Sequence, residues 1–175
     1  MEYVISDTHH GHANIIDYCD RPFESCEAMD EQLVSRWNAV VDDNDVVYHL
    51  GDVAIDSAIA DRVLDQLNGQ IVVVSGNHDA FSENPVVPVV DSLTLRHGRY
   101  QFLCSHRPQP DFSGWQIHGH IHNNDIGTYP FIHQNRQTVN VSVELIGYKP
   151  LQLDELVRLL RKNCSRINTI HDVQR

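Results

Sequence analysis

Apolar residues fall in short runs, each ended by a polar stop. Tyr3-Val4-Ile5, Val46-Val47-Tyr48 and Ile71-Val72-Val73-Val74 have strand character, and the last, continuous and β-branched, reads as a strand covered on both faces. Between them Met29, Leu33, Val34, Trp37 and Val40-Val41 recur near helical spacing, which predicts an amphipathic helix over Glu27 to Val41. A second helical pattern runs from Ser57 to Leu67 and stops at Asn68-Gly69, a left-handed cap signal. Leu93-Thr94-Leu95 and Tyr100-Gln101-Phe102-Leu103 flank His97-Gly98-Arg99 as the arms of a hairpin. Gln116-Ile117 and Thr138 to Val143 are further strands, and Leu151 to Leu160 is a closing helix. The stretches from Glu83 to Pro88 and from Asn123 to Asn135 are the expected long loops. An order β-α-β-α-β, then mainly strands and one late helix, predicts an α/β fold (α+β by some schemes): two packed mixed β-sheets flanked by helices.

Five of the polar stops share a character. They read Ser6-Asp7-Thr8-His9, Gly51-Asp52, Gly76-Asn77-His78-Asp79, Ser105-His106 and Gly119-His120-Ile121-His122. Ligand sites in layered α/β folds gather outside the carboxyl ends of strands, so these clusters are expected on one rim. Read as extended segments, Asp7-x-His9 and His120-x-His122 each direct two side chains to one side. Glycine before Asp52, Asn77 and His120 permits close backbone approach. Together the clusters supply two carboxylates, one amide and four imidazoles as ligands, with one further histidine, His78, left over. That donor set suits a two-metal hydrolytic centre plus one acid–base group. Oxygen and nitrogen ligands favour Mn²⁺, with Fe, Zn, Ni or Co as alternatives, over a thiolate-rich structural zinc.

Composition narrows the setting. The 175 residues fit one domain, 1–175, and no segment is long enough for a separate cap domain. A formal charge of -11 argues against long nucleic acid as partner, because such affinity rests on cations neutralising phosphates. One phosphate is still accessible to an acidic chain whose metal ions invert the field locally. Twelve histidines against thirteen lysines and arginines is what a metal site would produce. Cys19, Cys26, Cys104 and Cys164 lack C-x-x-C spacing, and they read as reduced thiols of a cytoplasmic protein. No apolar stretch approaches the roughly 18 residues of a membrane span, and Met1 to Ile5 lacks signal-peptide character. Oligomeric state is not legible.

The constellation resembles the calcineurin-like metallophosphoesterase superfamily, whose pattern is D-x-H, G-D, G-N-H-[DE], H and G-H-x-H. The likeness runs from Asp7 to His122, about two-thirds of the chain, with every core position filled. It implies a four-layer sandwich of two sheets between helices. It also implies one metal among Asp7, His9, Asp52 and His122, and another among Asp52, Asn77, His106 and His120. A hydroxide bridging the two would attack phosphorus, His78 would serve the leaving oxygen, and Asp79 would orient that imidazole. The Asp-Arg pair that follows G-D in protein phosphatases is missing, since Gly51-Asp52 continues as Val53-Ala54-Ile55-Asp56-Ser57. The opening Asp7 to Ile16, with Arg21-Pro22-Phe23 after it, is similar to small prokaryotic and phage-type members.

The expected activity is therefore hydrolysis of a small phosphomonoester, phosphodiester or nucleotide. A metal-binding interaction scaffold of the same fold, or a nuclease, is the alternative. Among the remaining residues, His12 is a candidate substrate contact beside the Asp7-x-His9 pair. Arg21 and Arg107 are candidates for a phosphate clamp, with an ordinary surface ion pair as the competing reading. His49 and His118 are expected behind the ligands or in the core, and His97, His133 and His171 on the surface. Asn140 contacts the site or caps a turn.

Overall fold

A computed structural model describes residues 1–79, 81–82, 85–162 and 164–173. The three β-rich runs of the first half form β1 (Glu2–Ile5), β2 (Val46–His49) and β3 (Gln70–Val74), all parallel. Parallel neighbours need crossovers, and α2 (Cys26–Asn38) and α3 (Ser57–Leu64) supply them after a short α1 (Asn14–Tyr18). Both crossover helices are capped: Ser25 accepts from the Ala28 amide and Asp56 from the Ile59 amide, each cap contributing about 1 kcal/mol. A two-residue β4 (Val89–Val90) adds to β3, and β10 (Leu151–Gln152) pairs antiparallel with β1. This sheet is ordered β10-β1-β2-β3-β4.

The predicted hairpin is β5 (Ser92–His97) and β6 (Tyr100–Ser105), in register from Ser92↔Ser105 to His97↔Tyr100. It joins β7 (Trp115–His118), β9 (Thr138–Asn140), β8 (Ile132–His133) and β11 (Arg166–Ile167) in a sheet ordered β11-β8-β9-β7-β6-β5. Both sheets are mixed and helices flank them, as expected. Val4, Val47 and Val73 from one sheet and Phe102, Ile117 and Val139 from the other belong to one hydrophobic cluster, all fully buried. Each such side chain contributes about 1.5–3 kcal/mol. The amphipathic α5 (Leu153–Leu160) adds Leu153, Leu156, Val157, Leu159 and Leu160 to the same cluster.

Register decides where the site lies. Ile5, His49 and Val73 sit level across β1, β2 and β3, so the chain leaves all three strands at one edge. Ser105, His118 and Asn140 are level in the same way across β6, β7 and β9. The two edges are tied by a bridge between Ser6 and Ser142, in which the Ser6 amide donates to the Val141 carbonyl at 3.0 Å.

Several expected boundaries move. The helix expected to Leu67 ends at Leu64, because Gln66 bonds back only to Val63 in a tighter turn. The strand expected over 138–143 stops at Asn140, and Val143 opens α4 (Val143–Ile146). Leu151 and Gln152 belong to a strand, and the closing helix begins at Leu153. The expected loop over 123–135 contains β8. The loop expected over 83–88 falls partly on residues 83 and 84, outside those described; 85–88 is loop.

Candidate metal centre

The loops leaving the two aligned edges converge. Asp7, His9 and His122 offer ligand atoms within 4.8 Å of one another, and Asp52, His106 and His120 do the same. Asp52 lies between the groups: its Oδ2 is 3.4 Å from His9 Nε2 and 3.4 Å from His106 Nε2. Its Oδ1 accepts the His78 amide at 2.9 Å. Asn77 joins the second group through Oδ1, 3.0 Å from His106 Nε2. The first sheet thus contributes Asp7, His9, Asp52 and Asn77, and the second contributes His106, His120 and His122.

Local backbone form differs from the extended segments expected. Asp7, His9, Asp52, His120 and His122 all have φ between +53 and +70°, the left-handed region that non-glycine residues rarely adopt. Asp7 and His9 therefore converge through paired left-handed turns rather than strand alternation, and so do His120 and His122. Two glycines make close approaches that no other residue permits. A Cβ on Gly76 would collide with the Asp52 backbone and carboxylate, and one on Gly119 with Ser6 and the Asp7 carboxylate.

A buried shell of polar groups holds these loops. Arg21, buried rather than on the surface, donates to the carbonyls of Asp7 (2.7 Å) and Thr8 (2.8 Å) and pairs with Glu144 at 2.7 Å. Its guanidinium is committed to the loop behind the ligands, which corrects its expected role as a phosphate clamp. Glu144, which the sequence reading missed, also accepts from His122 Nδ1 at 3.0 Å. Burial raises its pKa, but His122 and Arg21 outweigh that and hold it at about 2. The only signal for it in the sequence is a lone charge inside the apolar run Val141 to Ile146. The Ser142 hydroxyl, also unanticipated, lies 2.7 Å from Asp7 Oδ2 and 2.7 Å from Asn140 Oδ1. Asn140 donates to the His122 carbonyl at 3.1 Å, so it braces the site.

Asp79 is a second correction. Its carboxylate accepts the amides of Asp52 (2.8 Å), Val53 (2.7 Å) and Gly76 (2.8 Å), stapling the loop after β2 to the loop after β3. Those three amides, rather than the His78 ring, are its partners, and its expected role behind that imidazole is withdrawn. His78 is exposed, its ring centroid 5.5 Å from His9 and 6.4 Å from His12. Burial, then the neighbouring His9 and His78, lower the pKa of His12. Arg107 is exposed at the edge, its Nη1 2.6 Å from His120 Nε2 and its Nη2 donating to Asn77 Oδ1 at 3.1 Å. His49 and His118 are fully buried, and desolvation lowers them to about 3 and about 4, so both are neutral imidazoles behind the loops. His97, expected on the surface, is half-buried between two carboxylates.

The donor set fits divalent cations. His106 Nδ1 donates to the Leu50 carbonyl at 2.8 Å and His122 Nδ1 to Glu144, so each imidazole turns Nε2 toward the carboxylates. That tautomer, fixed from behind by an oxygen, is the one a metal-binding histidine adopts. His9 Nε2 is buried and, among the described residues, has no hydrogen-bond partner. The field is anionic: against the cost of burial, Asp7, Cys19 and Glu144 raise the pKa of His122 to about 11. Burial raises Asp52, but the imidazoles of His106 and His9 beside its carboxylate outweigh that and hold it well below the usual range. All four cysteines are free; Cys19 lies beside His122 and Glu144, and burial pushes the Cys104 thiol up to about 12. No helix among the described residues is long and apolar enough to cross a membrane.

Comparison with known proteins adds three likenesses. A family model described as calcineurin-like phosphoesterase matches residues 3–164. An uncharacterized protein of Methanocaldococcus jannaschii, MJ1445, is 44% identical over 178 residues, covering 98% of this chain and 97% of the relative. Among solved structures, the protein of unknown function AQ665 from Aquifex aeolicus has a TM-score of 0.67 at 24% identity, over 91% of this chain and 98% of its own, a likeness of fold.

Proposed function

The chain belongs to the calcineurin-like phosphoesterase family, and from that premise we propose that it is a metal-dependent phosphoric ester hydrolase acting on a small phosphomonoester, phosphodiester or nucleotide. The observation that carries this reading is Asp52 Oδ2, equidistant at 3.4 Å from an imidazole of each three-ligand group. Two divalent cations, when bound by these groups, supply a strong nucleophile from water at neutral pH and charge to offset that on the phosphoryl oxygens.

The remaining work falls to side chains of this chain. Asp7, His9 and His122 would hold the first cation, and Asn77, His106 and His120 the second. Asp52, whose Oδ1 accepts the His78 amide, would be shared between the two groups. His78, exposed over the His9 side of the centre, gives its ring proton to the departing alkoxide oxygen. Arg107, at the open edge beside Asn77 and His120, holds a phosphoryl oxygen. His12 lines the approach beside His78. Mn²⁺ is the preferred ion, with Fe, Zn, Ni or Co as alternatives.

The test pairs metal analysis with hydrolysis of p-nitrophenyl phosphate and its bis ester in Mn²⁺. Two ions per chain and turnover of at least one ester are expected, and Asp52→Asn should lower metal content and turnover together. Failure on both esters across several metals would shift the reading to a non-catalytic scaffold.

A further inference from the structure

The rim beside His106 continues into a groove that the site chemistry does not use. One cavity of about 280 Å³ is lined by Asn77, His106 and Arg107 together with Asp91, Ser105 and Gln109. The last three also line a neighbouring cavity of about 430 Å³, which ends against Leu103, Pro110 and Phe112. The volume of the outer part falls in the range of sites that hold small organic ligands. A phosphate held beside Asn77 and Arg107 would have this preformed slot within reach of its organic substituent.

The wall of that slot is held rigidly. Buried Gln116 on β7 accepts the Gln109 amide at 2.7 Å and donates to the Gln109 carbonyl at 3.1 Å, which fixes the turn following His106. The Phe112 amide closes the turn on the Gln109 carbonyl at 3.1 Å. Gly114, at φ +130, makes room for the Phe112 ring, which a Cβ there would meet at 3.2 Å. Phe112 is nonetheless 41% exposed, so a ring is presented to solvent with its backbone anchored. Asp91 and Asp111 add two carboxylates to the lining.

We propose that this groove selects the substrate's organic part, taking a neutral flat ring that carries hydrogen-bond donors and rejecting a second phosphate. The inference rests on the phosphoesterase reading of the adjacent centre. Phe112 supplies a face for the ring, and stacking of this kind tolerates many heterocycles. Asp91 and Asp111 accept from hydroxyl or amino donors and repel additional anions. Gln109 serves either kind of polar edge. A nucleoside monophosphate has this chemistry, whereas nucleoside triphosphates and polynucleotides bring further negative charge against the two aspartates.

Kinetics in Mn²⁺ with adenosine 5′-monophosphate, adenosine 5′-triphosphate, methyl phosphate and glucose 1-phosphate test the assignment. The monophosphate should be preferred over methyl phosphate, and Phe112→Ala should cut that preference about tenfold, mainly through KM. Asp91→Lys should narrow the preference for monophosphate over triphosphate by a similar factor, a reversal that a merely structural role would not produce. Unchanged ratios in both variants, or equal use of glucose 1-phosphate and the nucleotide, would overturn the groove's role while leaving the hydrolase reading intact. If p-nitrophenyl phosphate and all the other esters survive, the hydrolase reading fails. Calorimetric titration with adenosine 5′-monophosphate then decides the groove separately: binding weakened by Phe112→Ala supports it, and no binding to the wild-type chain overturns it.

Discussion

Left-handed backbone at Asp7, His9, Asp52, His120 and His122 carries a conformational cost of roughly 1 kcal/mol or more at each residue. The fold sustains it because each loop is tied from behind: Asp79 grips three amides, Arg21 two carbonyls, and Glu144 one imidazole. His78 differs from the candidate ligand histidines and aspartates in being exposed and outside both three-residue groups. His78→Ala should therefore leave bound metal unchanged while turnover falls by about 10²–10⁴. A full rate on an ester with a poor leaving group, or loss of metal in that variant, would remove His78 from its assigned role. The candidate ligand set was readable as a pattern because aspartate, asparagine and histidine recur where apolar runs stop. Their backbone form was not, since positive φ leaves no trace in residue type except at glycine. The duties of Arg21 and Asp79 were hidden for a related reason: whether a charge faces substrate or a neighbouring carbonyl depends on loops distant in sequence.

At the scale of elements, the long or strongly patterned segments were legible and the short ones were not. β3 and α2 announce themselves through a β-branched run and a helical period. α1, β4, β8 and β11, of five residues or fewer, complete no period and owe their form to neighbours already in place. The two residues of β10 were absorbed into the helical pattern that follows them. Contacts between elements were also out of reach, and His97 at the end of β5 is an instance. Its Nε2 lies 2.9 Å from Asp154 on α5 and its Nδ1 3.1 Å from Glu2 on β1. The hydrogen bond to Asp154 is the main reason its pKa is raised, burial opposes it, and Glu2 adds to it. Because the folded value exceeds the unfolded one of about 6.5, the stabilisation is complete below that pH and is lost as pH rises through the raised value. The melting temperature of the wild-type chain should thus exceed that of His97→Ala at about pH 5.5 and approach it in mildly alkaline buffer. A gap that stays constant, or widens with pH, would show that the bridge contributes packing alone.

For the molecule as a whole, the centre is a joint between two sheets. Asp7, Asp52 and Asn77 arrive from β1, β2 and β3, while His106, His120 and His122 arrive from the ends of β6 and β7. Cations held by that set and by His9 would bind the folded chain alone, since these seven residues meet only when both sheets are in register. Such linkage adds about 2.7 kcal/mol at a free ion concentration of 100 times Kd. For a chain of this size that corresponds to a rise in melting temperature of about 5–10 °C. The acidic balance of the protein, -11 in all, works in the same direction by drawing cations toward the fold. Mn²⁺ should accordingly raise the melting temperature over that measured in EDTA, and Asp52→Asn, lacking the shared carboxylate, should lose most of the gain. Calorimetric scans of both proteins with and without the ion separate a specific joint from general screening. If the variant gains as much as the wild-type chain, the ion is acting on the acidic surface and the two sheets are not fastened through Asp52.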